Sequence, residues 1–312
     1  MKPFWKKPGK KKMKKHSKPT QKTKPQIPLK SEPWKPPCSP KAPVIPVEPK
    51  YERPPKAPTT VQKPHTHEKE FLSTFRQLLS ERSRPWDIWK DFIIMSACAL
   101  SNPVDKTHYE EREKRYLDII HKYEKQKQIL FPELFAHMVM ALEEDPEQDF
   151  LGKMYMDLNL SYDELKQVFT PYHVCQLMAD VGIGDIVSQV EEQGYITIND
   201  PCCGAGANLI AAIHTARHKL EKAGLNYQNH LLVTGQEIEE VVALMCYIQL
   251  SLLGMAGVVK VGNTITEPMS PSDTTENYWF TPMYFSNVWH YRRLAHRLDI
   301  LMKGEGDPKL QA

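Results

Sequence analysis

The chain has 312 residues, 41% hydrophobic and 25% charged, enough for one or two packed domains. Its charge is uneven: residues 1–69 hold 19 lysines and arginines against 4 acids, a net of +15, whereas residues 70–312 hold 22 against 34, a net of −12. The first 69 residues also hold 16 of the 26 prolines, which withhold backbone donors among mutually repelling lysines, so a packed core is excluded there and a disordered arm is expected.

The arm opens MKPFWKKPGKKKMKKHSK. Such lysine density can neutralise nucleic-acid phosphates or sit on an anionic membrane, and a solvated, solubilising tail would look the same. No apolar stretch of roughly 7–15 residues follows the charges as a secretory signal would require. The longest apolar run, FIIMSACAL at 92–100, falls short of the roughly 18 residues that span a bilayer. A soluble, cytoplasmic protein is expected, with no membrane partner. The six cysteines, Cys38, Cys98, Cys175, Cys202, Cys203 and Cys246, form no C-x-x-C pair and have no histidine at zinc-finger spacing. Reduced thiols and no metal site are expected, and the adjacent Cys202 and Cys203 suit a turn that wants small side chains.

Residues 70–160 read as a helical region. Phe71, Leu72, Phe75, Leu78 and Leu79 fall at three-and-four spacing, and SRPWDIWKDFIIMSACAL places Pro85 in a first turn with Trp86, Trp89, Phe92 and Ile93 on one stripe. That aromatic stripe reads as core. The charged segment 109–145 is expected to break near Pro132 into two helices, and His108, His121 and His137, scattered along the region, read as structural.

Residues 161–312 read as an α/β domain. A short helix over YDELKQVF leads to a Thr-Pro turn, with Thr170 suited to the N-cap and Pro171 to the first position of the next helix. Strands over 195–199, 231–236 and 257–261 alternate with helices over 207–223 and 239–254, which implies a parallel sheet with crossover helices. The apolar residues of 239–254 are dense enough to bury most of one side of that helix.

The stretch ITINDPCCGAGANLIAAIH runs from a β-branched segment through an acid and two close glycines into a helix. A dinucleotide loop would present N–H groups to a pyrophosphate, and Asp200 would repel that ligand. S-adenosylmethionine has no phosphate and carries an ammonium beside a sulfonium, so the pattern Asp200-x-x-x-Gly204-x-Gly206 suits it. Glu237, ending the second strand, can accept from ribose hydroxyls, and Asn263, after the third, can hydrogen-bond an adenine ring. A structural glycine turn with incidental acids is the alternative.

Through FTPYHVCQLMADV, NDPCCGAGANLIAA, GQEIEEVVALMCYIQLSLLG and VGNTI, the chain over roughly residues 70–285 resembles the adenine-specific DNA N6-methyltransferases related to the modification subunit of type I restriction systems. DFLGKMYMDLNL is similar to that family's helical lead-in. The resemblance implies a Rossmann-like α/β fold dependent on S-adenosylmethionine, DNA as substrate, and a specificity or other partner subunit. It also implies that Thr170 and Pro171 line the cofactor pocket, that Asp200, Pro201, Gly204 and Gly206 hold the methionine portion, that Glu237 holds the ribose and that Asn263 holds the adenine.

The family aligns a flipped adenine with Asn, Asp or Ser, then Pro-Pro, then Tyr or Phe. No such run stands here; the Asn-Pro pair in SNPVD precedes the glycine loop. The best counterpart is YWFTPMYF, where Thr281, Pro282 and Tyr284 would form a degenerate catalytic turn after a fourth strand, the alternative being an edge strand ending in a proline turn. Only 28 residues follow Tyr284, so the parallel sheet reads as shortened. Two functions therefore compete: methyl transfer to the N6 amine of adenine in DNA, and a catalytically degenerate subunit that binds cofactor or nucleic acid. Methylation of a protein glutamine or of RNA, which uses similar amide chemistry, is a third.

Overall fold

The computed structural model describes residues 66–80, 84–160 and 169–303. The arm before residue 66 and nearly all of the helix expected over YDELKQVF lie outside them. Helix α1 (Thr66–Leu78) begins within the last four residues assigned by composition to the arm. Helix α2 (Pro85–Ser101) starts on Pro85, where the missing N–H would have had no intrahelical partner. Helices α3 (Tyr109–Ile120), α4 (Lys125–Gln128), α5 (Leu130–Glu144) and α6 (Phe150–Asp157) complete the helical region. The segment breaks twice, at 121–124 and again at Ile129, three residues before Pro132, near which a break was expected; Pro132 itself sits in the first turn of α5, a position that tolerates proline.

The aromatic stripe is core, as its spacing implies. Phe71, Phe75, Trp89, Phe92, Phe150 and Tyr155 are buried. Phe71 meets Phe150 edge to face at 5.3 Å and Phe92 at 5.6 Å, the geometry that the ring quadrupole favours.

The α/β part comprises α7 (Tyr172–Gly182), α8 (Ile186–Gln193), β1 (Ile196–Asp200), α9 (Ala207–Lys222), β2 (Leu231–Glu237), α10 (Glu240–Leu252), β3 (Ala256–Val261), β4 (Tyr278–Phe280) and α11 (Asn287–Lys303). Every element from β1 to β3 falls within two residues of its expected bounds. The sheet order is β1-β2-β3-β4, with the first three strands parallel and β4 antiparallel to β3. Asp200 pairs with Gly235 and Glu237 with Val261, so the carboxyl ends of β1, β2 and β3 share one edge. Val258 pairs with Phe280, so the chain leaving β4 emerges at the opposite edge. Helix α10 is buried from Val241 to Leu250 on every side rather than along one, because α2, α6 and the sheet all pack on it.

One cluster of buried residues runs from Phe71 to Trp279, so the helices and the sheet share a core. Polar ties cross it as well, among them those of Arg115, Arg112 and Gln249. Arg115 makes a two-pronged pair with Glu240 at 2.6 and 2.8 Å. Arg112, buried, donates to Asp105 at 2.8 Å and to the Tyr278 carbonyl at 2.7 Å, with its guanidinium carbon 3.8 Å from the centre of the Trp279 ring system. Gln249 donates to Asp149 at 2.8 Å and to the Ala205 carbonyl at 2.9 Å, and accepts from the Leu151 N–H at 3.0 Å.

Candidate functional site

Asp200 ends β1, and the chain turns through Pro201–Gly206 into α9. The loop is fixed to the neighbouring strand by the Cys203 N–H, which donates to the Gln236 carbonyl at 3.0 Å, and closed on itself by Gly206 N–H to Cys203 O at 2.9 Å. Gly204 has φ +54° and Gly206 φ +100°, backbone that favours glycine. The two differ in surroundings. A Cβ on Gly206 would stand 2.9 Å from Cys246 Sγ, whereas one on Gly204 would meet only the Phe169 ring, at 3.7 Å and beyond. Gly206 is therefore needed for packing, and Gly204 leaves an approach open to a ligand. Cys203 is buried beneath the loop while Cys202 is exposed, so the adjacent thiols do not face a common point. The neighbouring Cys246 and burial push the Cys203 thiol well above its ordinary pKa.

Glu237 ends β2 as a carboxylate held by backbone. Its Oε2 accepts from Gly204 N–H at 3.1 Å, and its Oε1 from Ile238 N–H at 2.9 Å and Glu239 N–H at 3.1 Å. A carboxylate offers about four acceptor directions, so about one remains for a ligand, fewer than two ribose hydroxyls would use unless Gly204 yields its own. Asp200 is freer: Oδ1 accepts from Cys202 N–H at 3.0 Å, and Oδ2 has only a long 3.5 Å contact from Asn208. After β3, Asn263 Oδ1 accepts from Ile265 N–H at 2.9 Å and Thr266 N–H at 3.3 Å, folding its own loop and leaving the amide NH₂ as the ligand-facing group. The Thr264 hydroxyl donates to the Pro201 carbonyl and joins that loop to the glycine turn. Ile238, 65% exposed, and Ile265, 93% exposed, follow Glu237 and Asn263 and supply apolar surface beside the polar groups.

The Thr-Pro turn lies close by. Helix α7 starts at Tyr172 with Pro171 as its N-cap, one residue later than expected, because Pro171 O accepts the first helical N–H groups, from Val174 and Cys175. Thr170 does not cap through its side chain; its carbonyl receives the Cys175 thiol at 3.8 Å. Both residues line a cleft of about 790 Å³ with Phe169, Tyr172, Glu68 and Asp149. Phe169 stands between Gly204 and the Tyr155 ring, 5.1 Å away edge to face. Asp149 caps α6 by accepting from Gly152 N–H at 3.0 Å, and burial pushes its carboxyl above the usual range.

The expected catalytic turn is not at this edge. Thr281 is buried at the level of Gly257, near the amino end of β3; its Oγ1 accepts from Gly257 N–H at 2.8 Å and donates to Met255 O at 2.6 Å. Pro282 opens a short 3₁₀ turn, Pro282–Phe285, and Tyr284 packs on Phe280 with Arg293 3.9 Å above its ring. At about 3.3 Å per residue, the four residues from Gly257 to Val261 put Thr281 roughly 13 Å along the strands from Glu237. The cause is topology: β4 pairs antiparallel beyond β3, so the chain leaving it is carried away from the glycine loop. The edge-strand alternative describes this segment.

Phe169, Asp149 and Gln249 were missed from the sequence. Gln249 had a signal, since a lone amide inside a wholly apolar helix requires buried partners. Asp149 had a weaker one, an acid three residues before a glycine at a helix start.

Among the described residues, no helix is long and apolar enough to cross a membrane. No curated protein matches the chain. Residues 147–301, which include the Thr-Pro turn, the glycine loop, Glu237 and Asn263, match the family model described as N-6 DNA Methylase. That segment, which carries the mixed α/β fold, belongs to the N-6 DNA methylase family.

Proposed function

We propose that the chain binds S-adenosylmethionine at the common carboxyl edge of β1, β2 and β3 and uses it to methylate the N6 amine of adenine in DNA. The observation that carries this reading is the pair of carboxylates, Asp200 and Glu237, on adjacent parallel strands around a left-handed Gly204 with no atom but the Phe169 ring close before it. The cofactor would supply an electrophilic methyl. Asp200 would orient the ammonium, Glu237 would accept from a ribose hydroxyl, the Asn263 amide would donate to a ring nitrogen, and Ile238 and Ile265 would cover the faces of the adenine. Gly204 and Gly206 shape the turn, Pro201 fixes its entry, and Thr170 and Pro171 would close the methionine end.

The adenine to be methylated has to leave its helix and present N6 to the methyl. The groups that align it belong beside Asp200. Among the described residues β1 pairs with β2 alone, so its outer edge adjoins that position. A second reading comes from the placement of Thr281 and Tyr284 at the opposite edge: a cofactor-binding subunit whose partner supplies the aligning residues. The lysine-rich arm suits non-specific contact with DNA phosphates in either case.

Calorimetric titration with S-adenosylmethionine and transfer of labelled methyl to adenine in DNA, with and without a candidate partner subunit, separate these readings. Binding with transfer by the chain alone supports the first, and binding with transfer only on adding the partner supports the second. Absence of binding overturns both.

A further inference from the structure

Helices α1 and α5 pack side by side and bring His67, Glu70 and His137 together, with one ligating atom from each within 4.8 Å of the others. We propose that these three side chains form a binding site for a divalent ion of the zinc class, which the sequence, reading His137 as merely structural, does not suggest. This site is independent of the cofactor reading.

The distances fit such an ion. His67 Nδ1 lies 2.9 Å and His137 Nδ1 3.4 Å from the same oxygen, Glu70 Oε2. Tetrahedral zinc with bonds of about 2.0–2.1 Å has ligand atoms about 3.3 Å apart, so only small side-chain rotations separate this arrangement from a coordinating one. The second nitrogen of His67 also has a partner in place: Nε2 lies 3.4 Å from Glu144 Oε1. With an ion at Nδ1, Nε2 keeps its proton and donates to Glu144, the carboxylate–histidine–metal arrangement that orients ligating imidazoles.

Two imidazoles and one carboxylate select zinc-class ions over calcium or magnesium, which prefer oxygen ligands alone. The three side chains are partly exposed, which leaves a fourth position for water. The ion would fix α1 to α5. Glu68 of the same turn lines the 790 Å³ cleft and pairs with Lys153 at 2.6 Å, so the ion would also hold one wall of that cleft.

The test uses the full chain stripped with chelator and titrated with Zn²⁺ alone by calorimetry, then with Co²⁺ by visible absorption. One saturable tight site is expected, with Ca²⁺ and Mg²⁺ failing to compete. His137→Ala and Glu70→Gln should each weaken that site by at least about tenfold and abolish its Co²⁺ bands, and Glu144→Gln should weaken it by about tenfold. Exposed His121→Ala should leave it unchanged. Circular dichroism of each variant separates loss of ligand from loss of fold, and His137→Gln serves if the alanine variant unfolds. Failure to bind Zn²⁺ more tightly than about millimolar, or a tightest site indifferent to both His137 variants, overturns the proposal.

Discussion

Glu237 Oε2 accepts the N–H of Gly204 at 3.1 Å, so the acid that ends β2 also holds the loop that follows β1. Any ligand recognised by Glu237 therefore acts on a carboxylate already shared with the glycine turn. Glu237→Ala should cost about 2–3 kcal/mol of S-adenosylmethionine affinity, the value of a hydrogen bond to a charged group together with the loosening of the loop. Glu237→Gln, which keeps an oxygen acceptor, should cost less. Calorimetry checks both, and parental affinity in the alanine variant would remove Glu237 from the site.

Gly204 and Gly206 should separate function from stability. Gly206→Ala places a methyl 2.9 Å from Cys246 Sγ on a backbone with φ +100° and should destabilise the fold by about 2–4 kcal/mol in urea unfolding. Gly204→Ala, with φ +54° and no close neighbour, should cost only about 1 kcal/mol. Its effect should appear as weakened cofactor binding, and equal stability losses in the two variants would contradict the difference between their surroundings.

Thr281 should behave as a structural residue. Thr281→Val leaves Gly257 N–H and Met255 O without their buried partner and should cost about 2–3 kcal/mol of stability. Cofactor affinity of the folded variant should stay at the parental value, and so should that of Tyr284→Phe. A specific loss of methyl transfer in either variant, with cofactor affinity and fold intact, would return this turn to the acceptor site.

Asp149 should make stability depend on pH in a direction opposite to that of an ion-paired acid. Burial raises its pKa in the folded state, so the folded chain holds this proton more tightly than the unfolded one. Its contribution is then greatest below the ordinary carboxyl range, about pH 3.9, and is lost as pH rises from there through the raised folded value. Asp149→Asn keeps the oxygen that accepts from Gly152 and Gln249 and should remove that part of the slope. Urea melts of parent and variant at several pH values give the difference, and parallel curves would mean that Asp149 ionises normally in the folded chain.

The sequence made the parallel strands legible because their signals are local: β-branched runs, glycine turns and an apolar period fix β1 to β3 and place Asp200, Glu237 and Asn263 at successive strand ends. The fourth strand was expected before Thr281, but not its direction, for a physical reason. Three residues, Tyr278–Phe280, read alike whether they pair parallel or antiparallel, and the choice is made by contacts distant in sequence, such as Arg112 donating to the Tyr278 carbonyl. The earlier break in the charged helices, at 121–124, was not legible because no proline or glycine stands there to announce it. The His67, Glu70 and His137 cluster spans two helices and has no compact spacing to reveal it.

The buried Arg112 separates the segment that defines the family from the segment that can stand alone. The matched region starts at Glu147, yet Tyr278 and Trp279 within it are capped by a cation from α3, and Phe150 and Tyr155 are packed by rings from α1 and α2. Cut at residue 147, the chain would expose those aromatic faces to water and leave the antiparallel strand without its anchor. A fragment made to the family's boundaries is therefore expected to collect in inclusion bodies or collapse without fixed side-chain packing, while one begun at Thr66 retains these packing partners.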